Sequence, residues 1–141
     1  MSARGSNSNR RIERPPSSQH KTAGPYSPVL SVSADTLVAI SGQGPINEDG
    51  HIVGDTIEEQ ARLTLENCLR QLNAAGAGFE DVFKVTVYLK DMADWERFNA
   101  VYRECFREPF PTRTAIQAVL WGGILVEIEM LAAPPERRAE A

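Results

Sequence analysis

Residues 56–90 read TIEEQARLTLENCLRQLNAAGAGFEDVFKVTVYLK, and the hydrophobic period changes within them. Ile57, Ala61, Leu65, Cys68, Leu69 and Leu72 recur at spacings of three and four, which places them on one face of a helix. Thr56 followed three residues later by Glu59 has the form of a capping box. Gly76 after Ala74-Ala75 supplies a residue that ends the helix in the left-handed conformation. From Val82 to Lys90 the period is two. Phe83, Val85, Val87 and Leu89 point one way, and Lys84, Thr86 and Tyr88 the other. A helix with one apolar face followed directly by a strand predicts an α+β fold.

Working outward, Asp94 is placed to cap a second helix whose apolar face is Trp95, Phe98, Tyr102, Cys105 and Phe106, with Pro109 and Pro111 ending it. Thr112 to Leu120 reads as a strand, Trp121-Gly122-Gly123 as a loop and Ile124 to Leu131 as the last strand. That strand carries Ile124, Val126, Ile128 and Met130 on one face and Leu125, Glu127, Glu129 and Leu131 on the other. Toward the N-terminus, Val29 to Ser33 and Leu37 to Ser41 are β-prone runs that suggest a hairpin. Gly42-Gln43-Gly44-Pro45 breaks the second run, and His51-Ile52-Val53 reads as a short strand after the Glu48-Asp49-Gly50 turn. The order is ββ-α-β-α-ββ, a sheet with two helices on one face.

The chain has 141 residues and a formal charge of −4. Its length suits one domain, residues 22–133. Residues 1–21 hold Arg4, Arg10, Arg11, Arg14 and Lys21 against Glu13 alone. With one large aliphatic, Ile12, they read as a disordered basic tail. Residues 134–141 read as a second tail. The body between them is acidic, which argues against nucleic acid as a partner. No apolar run approaches a membrane span, and the N-terminus lacks the apolar core of a secretory signal. A cytoplasmic location is expected.

Cys68 and Cys105 lie on the apolar helix faces, so they read as packing residues in a reducing compartment. His20 and His51 have no triad pattern around them, and two His with two Cys make no metal site. Gly42-Gln43-Gly44-Pro45 matches neither a Walker loop nor a dinucleotide fingerprint; it would let backbone approach a ligand. Two placements are odd. Arg113 sits in a β-prone run between Thr112 and Thr114, on a face that continues through Ala115, Gln117 and Val119. Glu127 and Glu129 interrupt an otherwise apolar strand. Either this polar sheet face meets water, or another subunit covers it; in the second case an Arg and a Glu in the cleft would be a carboxylate anchor and a base that orients water.

Gly24-Pro25-Tyr26-Ser27, Ser41-Gly42-Gln43-x-Pro45, Ala74-Ala75-Gly76, Val85 through Met92, Phe98-Asn99-x-x-Tyr102, Phe110 through Thr114 and Val126-Glu127-Ile128-Glu129 occur in this order. The set resembles the RidA/YjgF family of imine/enamine deaminases over about Thr22 to Ala133. The resemblance implies a fold similar to Bacillus chorismate mutase, with a mixed six-stranded sheet, and a homotrimer whose sheets face inward and whose active sites lie between subunits. It also implies that the last two strands are not neighbours, the final one inserting nearer the sheet centre. By position, Arg113 matches the residue that binds the substrate carboxylate and Glu127 the one that holds the hydrolytic water. Tyr26, Gly42, Asn99 and Ala115 match substrate-contacting positions. Ala115 stands where many members have Cys. Leu120-Trp121-Gly122-Gly123 and Gly44 also depart from the common pattern, changes that would reshape the pocket.

The resemblance implies hydrolysis of 2-imino acids or 2-enamines such as 2-aminoacrylate to 2-keto acids and ammonia, with neither metal nor cofactor. Three alternatives stay open: a pathway-specific deaminase of a larger enamine, an RNA-directed endoribonuclease, and a non-catalytic sensor of small carboxylates.

Overall fold

The computed structural model describes residues 10–135. Helix α1, Ile57–Ala74, begins with the capping box expected of it: Thr56 Oγ1 accepts from the Glu59 amide, and the Glu59 carboxylate accepts from the Thr56 amide. Such a cap contributes about 1 kcal/mol. Gly76 adopts φ +79°, the left-handed conformation that a side chain resists. Ile57, Ala61, Leu65, Cys68 and Leu72 are buried, each large aliphatic contributing about 1.5–3 kcal/mol on leaving water.

Strand β1 is Arg11–Glu13, β2 Ser31–Ser33, β3 Val38–Gln43, β4 Val82–Leu89, β5 Thr112–Gln117 and β6 Val126–Ala132, with helix α2, Trp95–Cys105, between β4 and β5. The main sheet has the order β3-β6-β4-β5. β6 runs antiparallel to both of its neighbours, and β4 and β5 are parallel. The last strand therefore lies inside the sheet and is not the neighbour of the strand that precedes it, as the resemblance implied. Both helices pack on one face, over Val85, Val87 and Leu89 of β4 and Val126, Ile128 and Met130 of β6. Lys84, Thr86, Tyr88, Glu127 and Glu129 occupy the other face, which no helix covers among the described residues. Asp94 stands at the N-cap of α2 without a capping hydrogen bond from its side chain; Asp91 instead accepts from the Ala93 amide in the preceding turn.

Three expectations change. The strands form a four-stranded mixed sheet and a separate two-stranded one, not a single six-stranded sheet. The pair around Ala34-Asp35 is not a hairpin: β2 pairs with β1, and β3 with β6. The tail expected to be disordered over residues 1–21 supplies β1. Its anchor is Arg10, which donates to the buried Asp81 carboxylate and, through Nε, to the Ala133 carbonyl at 2.9 Å. Residues 1–9 and 136–141 lie outside the described residues. Among the described residues, no helix is long and apolar enough to cross a membrane. Cys68 is fully buried and its thiol is pushed up to about 12, chiefly by burial, which fits packing and not chemistry.

Candidate active site

The first half of the site forms around Arg113 in β5. Its Cα pairs with that of Val85, a core residue of β4, so its side chain projects to the helix-covered face. There it lies beneath α2, its guanidinium carbon 4.7 Å from the Tyr102 ring centroid, 5.1 Å from Trp95 and 5.8 Å from Phe98. Arg113 is only 8% exposed, and among the described residues none of its three side-chain nitrogens has a hydrogen-bond partner. The facing rings supply cation–π attraction but no counter-charge. Burial lowers its pKa from the usual arginine value, with the positive charge of Arg103 adding to the effect. The buried Asn99 Oδ1 and Tyr102 hydroxyl are also without partners. Burial raises the Tyr102 pKa, so this hydroxyl is a neutral donor.

The segment carrying Gly24 and Tyr26 is stitched beside this arginine. The Ser27 amide donates to the Pro111 carbonyl at 3.1 Å, and the Ser27 hydroxyl donates to the Phe110 carbonyl. A methyl group on Gly24 would stand 3.0 Å from Trp95, 3.1 Å from Arg113 Nη2 and 3.5 Å from Asn99 Nδ2. Gly24 therefore lets the backbone close over the guanidinium. Tyr26, half-buried, is carried on the same segment two residues beyond Gly24. Ala115 follows two residues along β5 on the same face, half-buried.

The second half lies on the opposite face of the sheet. Glu127 of β6 is opposite Tyr88 in β4, and Glu129 accepts from the Tyr88 hydroxyl at 3.2 Å. The β3–β6 pairing breaks register between Ile40 and Gln43, and this bulge brings Gly42 against Glu127. A Cβ at position 42 would stand 2.1 Å from Glu127 Oε2. Two polar side chains of α1 fix the loops around this half. Asn67 Nδ2 donates to the Gly44 and Ile46 carbonyls, both at 2.9 Å. The buried Gln60 bridges Gly54, Gly123 and the Leu125 amide just ahead of β6.

Arg113, Asn99, Tyr26 and Ala115 thus gather on one side, and Gly42 with Glu127 on the other. The expectation that Arg113 and Glu127 share the polar sheet face is corrected. Thr112, Arg113 and Thr114 are polar on both sides of their strand, so alternation assigns no face; the parallel register with β4 does. Gly24, Trp95, Phe98 and Tyr102 are further members of the arginine half that the sequence reading left out of the site. The aromatic residues have core spacing, and nothing in that spacing marks a cation beneath them. Among the described residues, no group of three or more His, Cys, Asp or Glu is placed to hold a metal ion.

The Gly42 geometry carries a prediction. Gly42→Ala should displace the Glu127 carboxylate and lower kcat for a hydrolysis that depends on it by about tenfold to hundredfold. Circular dichroism should remain that of the wild type. An unchanged kcat would remove Gly42 from the site.

Comparison with known proteins agrees with the motifs. Residues 16–134 match the family model described as Endoribonuclease L-PSP. The chain is 45% identical over 114 residues to a RutC family protein of Pyrococcus horikoshii, covering 79% of this chain and 89% of that one. It is 40% identical over 111 residues to the human 2-iminobutanoate/2-iminopropanoate deaminase, covering 77% and 80%. The crystal structure of RidA from the Antarctic bacterium Psychrobacter superposes with a TM-score of 0.66 at 31% identity, over 78% of this chain and 93% of that one. The chain belongs to the Endoribonuclease L-PSP family, the group of the YjgF and RidA proteins.

Proposed function

We propose that the protein hydrolyses 2-imino acids, and 2-enamines such as 2-aminoacrylate through their imine tautomers, to 2-keto acids and ammonia. The observation that carries this reading is the buried, unpartnered Arg113 guanidinium. A buried cation without a counter-charge is costly, and a planar carboxylate matches its fork. Asn99 and the Tyr102 hydroxyl offer further polar contacts beside it.

Glu127 is the water-holding group. Water adds to the imine carbon as Glu127 takes one of its protons, and the C=N electron pair moves to nitrogen, which is protonated. Glu127 then returns its proton to the amine nitrogen of the resulting carbinolamine, the C–N bond breaks to release ammonia, and loss of the hydroxyl proton leaves a carbonyl. The imine carbon is electrophilic once its nitrogen is protonated, so the protein's task is to position and to exchange protons. Relatives named as imine deaminases, such as the human protein, support the assignment.

Within one chain the sheet separates Arg113 from Glu127, so the complete site is read as a junction between subunits of a homotrimer. Support comes from the uncovered sheet face and from apolar side chains left in water, among them Ile116, Val119 and Trp121, which is 71% exposed. The test is complementation. Arg113→Ala and Glu127→Ala should each be inactive, whereas trimers reassembled from an equal mixture should recover about one quarter of wild-type activity, from junctions that combine the two intact halves. No recovery in mixed trimers of verified composition would refute the shared site.

A further inference from the structure

The three nitrogens of Arg113 are buried as well as unpartnered, so a carboxylate reaches them only after part of the wall around them moves. Two elements form that wall. One is α2, whose Trp95, Phe98 and Tyr102 face the guanidinium. Phe98 and Tyr102 are fully buried and their helix packs on α1, so this side is fixed. The other is the segment at Gly24, where an added Cβ would stand 3.1 Å from Arg113 Nη2 and 3.0 Å from Trp95.

This second element is free to move. Residues 14–26 join β1 to Ser27 with neither helix nor strand of their own, and connections of that length are uncommon unless they have a function. Both ends are fixed. Arg10 holds β1 to Asp81 and Ala133. Ser27 is bonded to Phe110 and Pro111 and bridged to Thr112, the residue before Arg113. Between these ends the tether is slight. Among the described residues, no hydrogen bond ties residues 15–25 to anything outside the segment; the Gly24 carbonyl accepts from the Tyr26 amide within it. A cavity of about 350 Å³ borders the segment from Thr22 to Tyr26 without touching Arg113 or its rings, which leaves room for the segment to withdraw.

We propose that residues 22–26 are a lid over the carboxylate anchor. Open, it admits the substrate. Closed, it excludes water from the pair formed by Arg113 and the carboxylate, which strengthens that pair. A lid closed over an empty anchor covers a cation without a counter-charge, and this weakens closure. A bound carboxylate removes that cost, so the substrate itself favours the closed state. Closure depends on Gly24, because a side chain there would press on Trp95 and the guanidinium.

This inference takes its ligand from the deaminase reading, and the experiment separates the two. Phenylglyoxal, which modifies accessible guanidinium groups, is applied to the intact protein, and the modified arginines are mapped by peptide mass spectrometry. Arg107, which is exposed, is the internal reference. In wild type, Arg113 should react about tenfold or more slowly than Arg107, since its reaction waits for the open fraction of molecules. Gly24→Ala should raise the Arg113 rate about tenfold. Ser27→Ala, which loses the hydroxyl bond to Phe110, should raise it by a smaller factor. The Arg107 rate and the circular dichroism should not change in either variant. Added 2-oxobutanoate, a 2-keto acid product, should slow the reaction of Arg113 and not that of Arg107. Equal rates at Arg113 and Arg107 in wild type overturn the lid. So does an Arg113 rate unchanged in Gly24→Ala, or in Ser27→Ala should Gly24→Ala not fold. Variants that behave as expected while 2-oxobutanoate leaves Arg113 unprotected would uphold the lid and overturn the carboxylate anchor of the deaminase reading.

Discussion

Arg113→Met is expected to abolish imine hydrolysis and to stabilise the ligand-free protein at the same time. The two effects have one cause. The guanidinium is buried under Tyr102, Trp95 and Phe98 with all three nitrogens unpartnered among the described residues. An unsatisfied buried polar group costs about 1–3 kcal/mol, and more when charged. The facing rings return part of this, about 0.5–2 kcal/mol. Met fills a similar volume, keeps the contact with the rings and carries no charge. We expect a gain of about 1–3 kcal/mol in unfolding free energy, of the kind seen when buried ionic groups give way to apolar ones. On the functional side, the variant loses two charge-assisted hydrogen bonds to the carboxylate, which corresponds to about 10²–10⁴-fold in kcat/KM. Denaturant unfolding and a keto-acid assay on the same preparation check both parts. Wild-type activity in the Met variant would sink the anchor role; a clear loss of stability would show that the guanidinium has a structural partner.

The second large effect is expected at Glu127. Glu127→Gln keeps the size of the side chain and its ability to hold water but cannot take a proton. It should lower kcat by about 10²–10⁴-fold, the usual contribution of a positioned general base. KM should change little, because the carboxylate anchor lies on the other half-site. Glu129→Gln is the control. Glu129 occupies the same sheet face and accepts from the Tyr88 hydroxyl, but it does not face Gly42. Loss in Glu129→Gln with activity kept in Glu127→Gln would mean that the pair had been assigned the wrong way round, and equal losses would mean that Glu127 is not the sole base.

The features legible in the sequence are those in which one local pattern points one way. Thr56 and Glu59 mark the start of α1, Gly76 marks its end, and the alternation from Val82 onward marks β4 and its buried side. Glu127 and Glu129 stood out together for the same reason, as charges within a clearly alternating strand, and only the family resemblance singled out Glu127. The N-terminal strand was not. Arg11-Ile12-Glu13 has one apolar side chain, and what holds it is Arg10 reaching Asp81, some seventy residues away. The supposed hairpin failed because nearness along the chain was taken for pairing, whereas β3 finds its partner in β6. The face of Arg113 was hidden because its neighbours are polar on both sides. Motif order placed it in a site, but only the register with Val85 shows which way it points. The separation of the two half-sites was therefore beyond reach of any reading that treated β5 by itself.

The position of β6 has a kinetic consequence. The strand that lies between β3 and β4 follows both of them in the sequence, so both neighbours must wait for residues 126–132 before either can form its ladder with it. Until then β3 has no partner in the main sheet, and β4 has only β5. Closing that gap pairs Val38 with Ala132, residues far apart in the sequence, and such distant closures slow folding. The sheet therefore completes only once β6 is in place. In that interval the apolar faces of β3 and β4 stand open side by side, which makes this the stage most exposed to association with other chains.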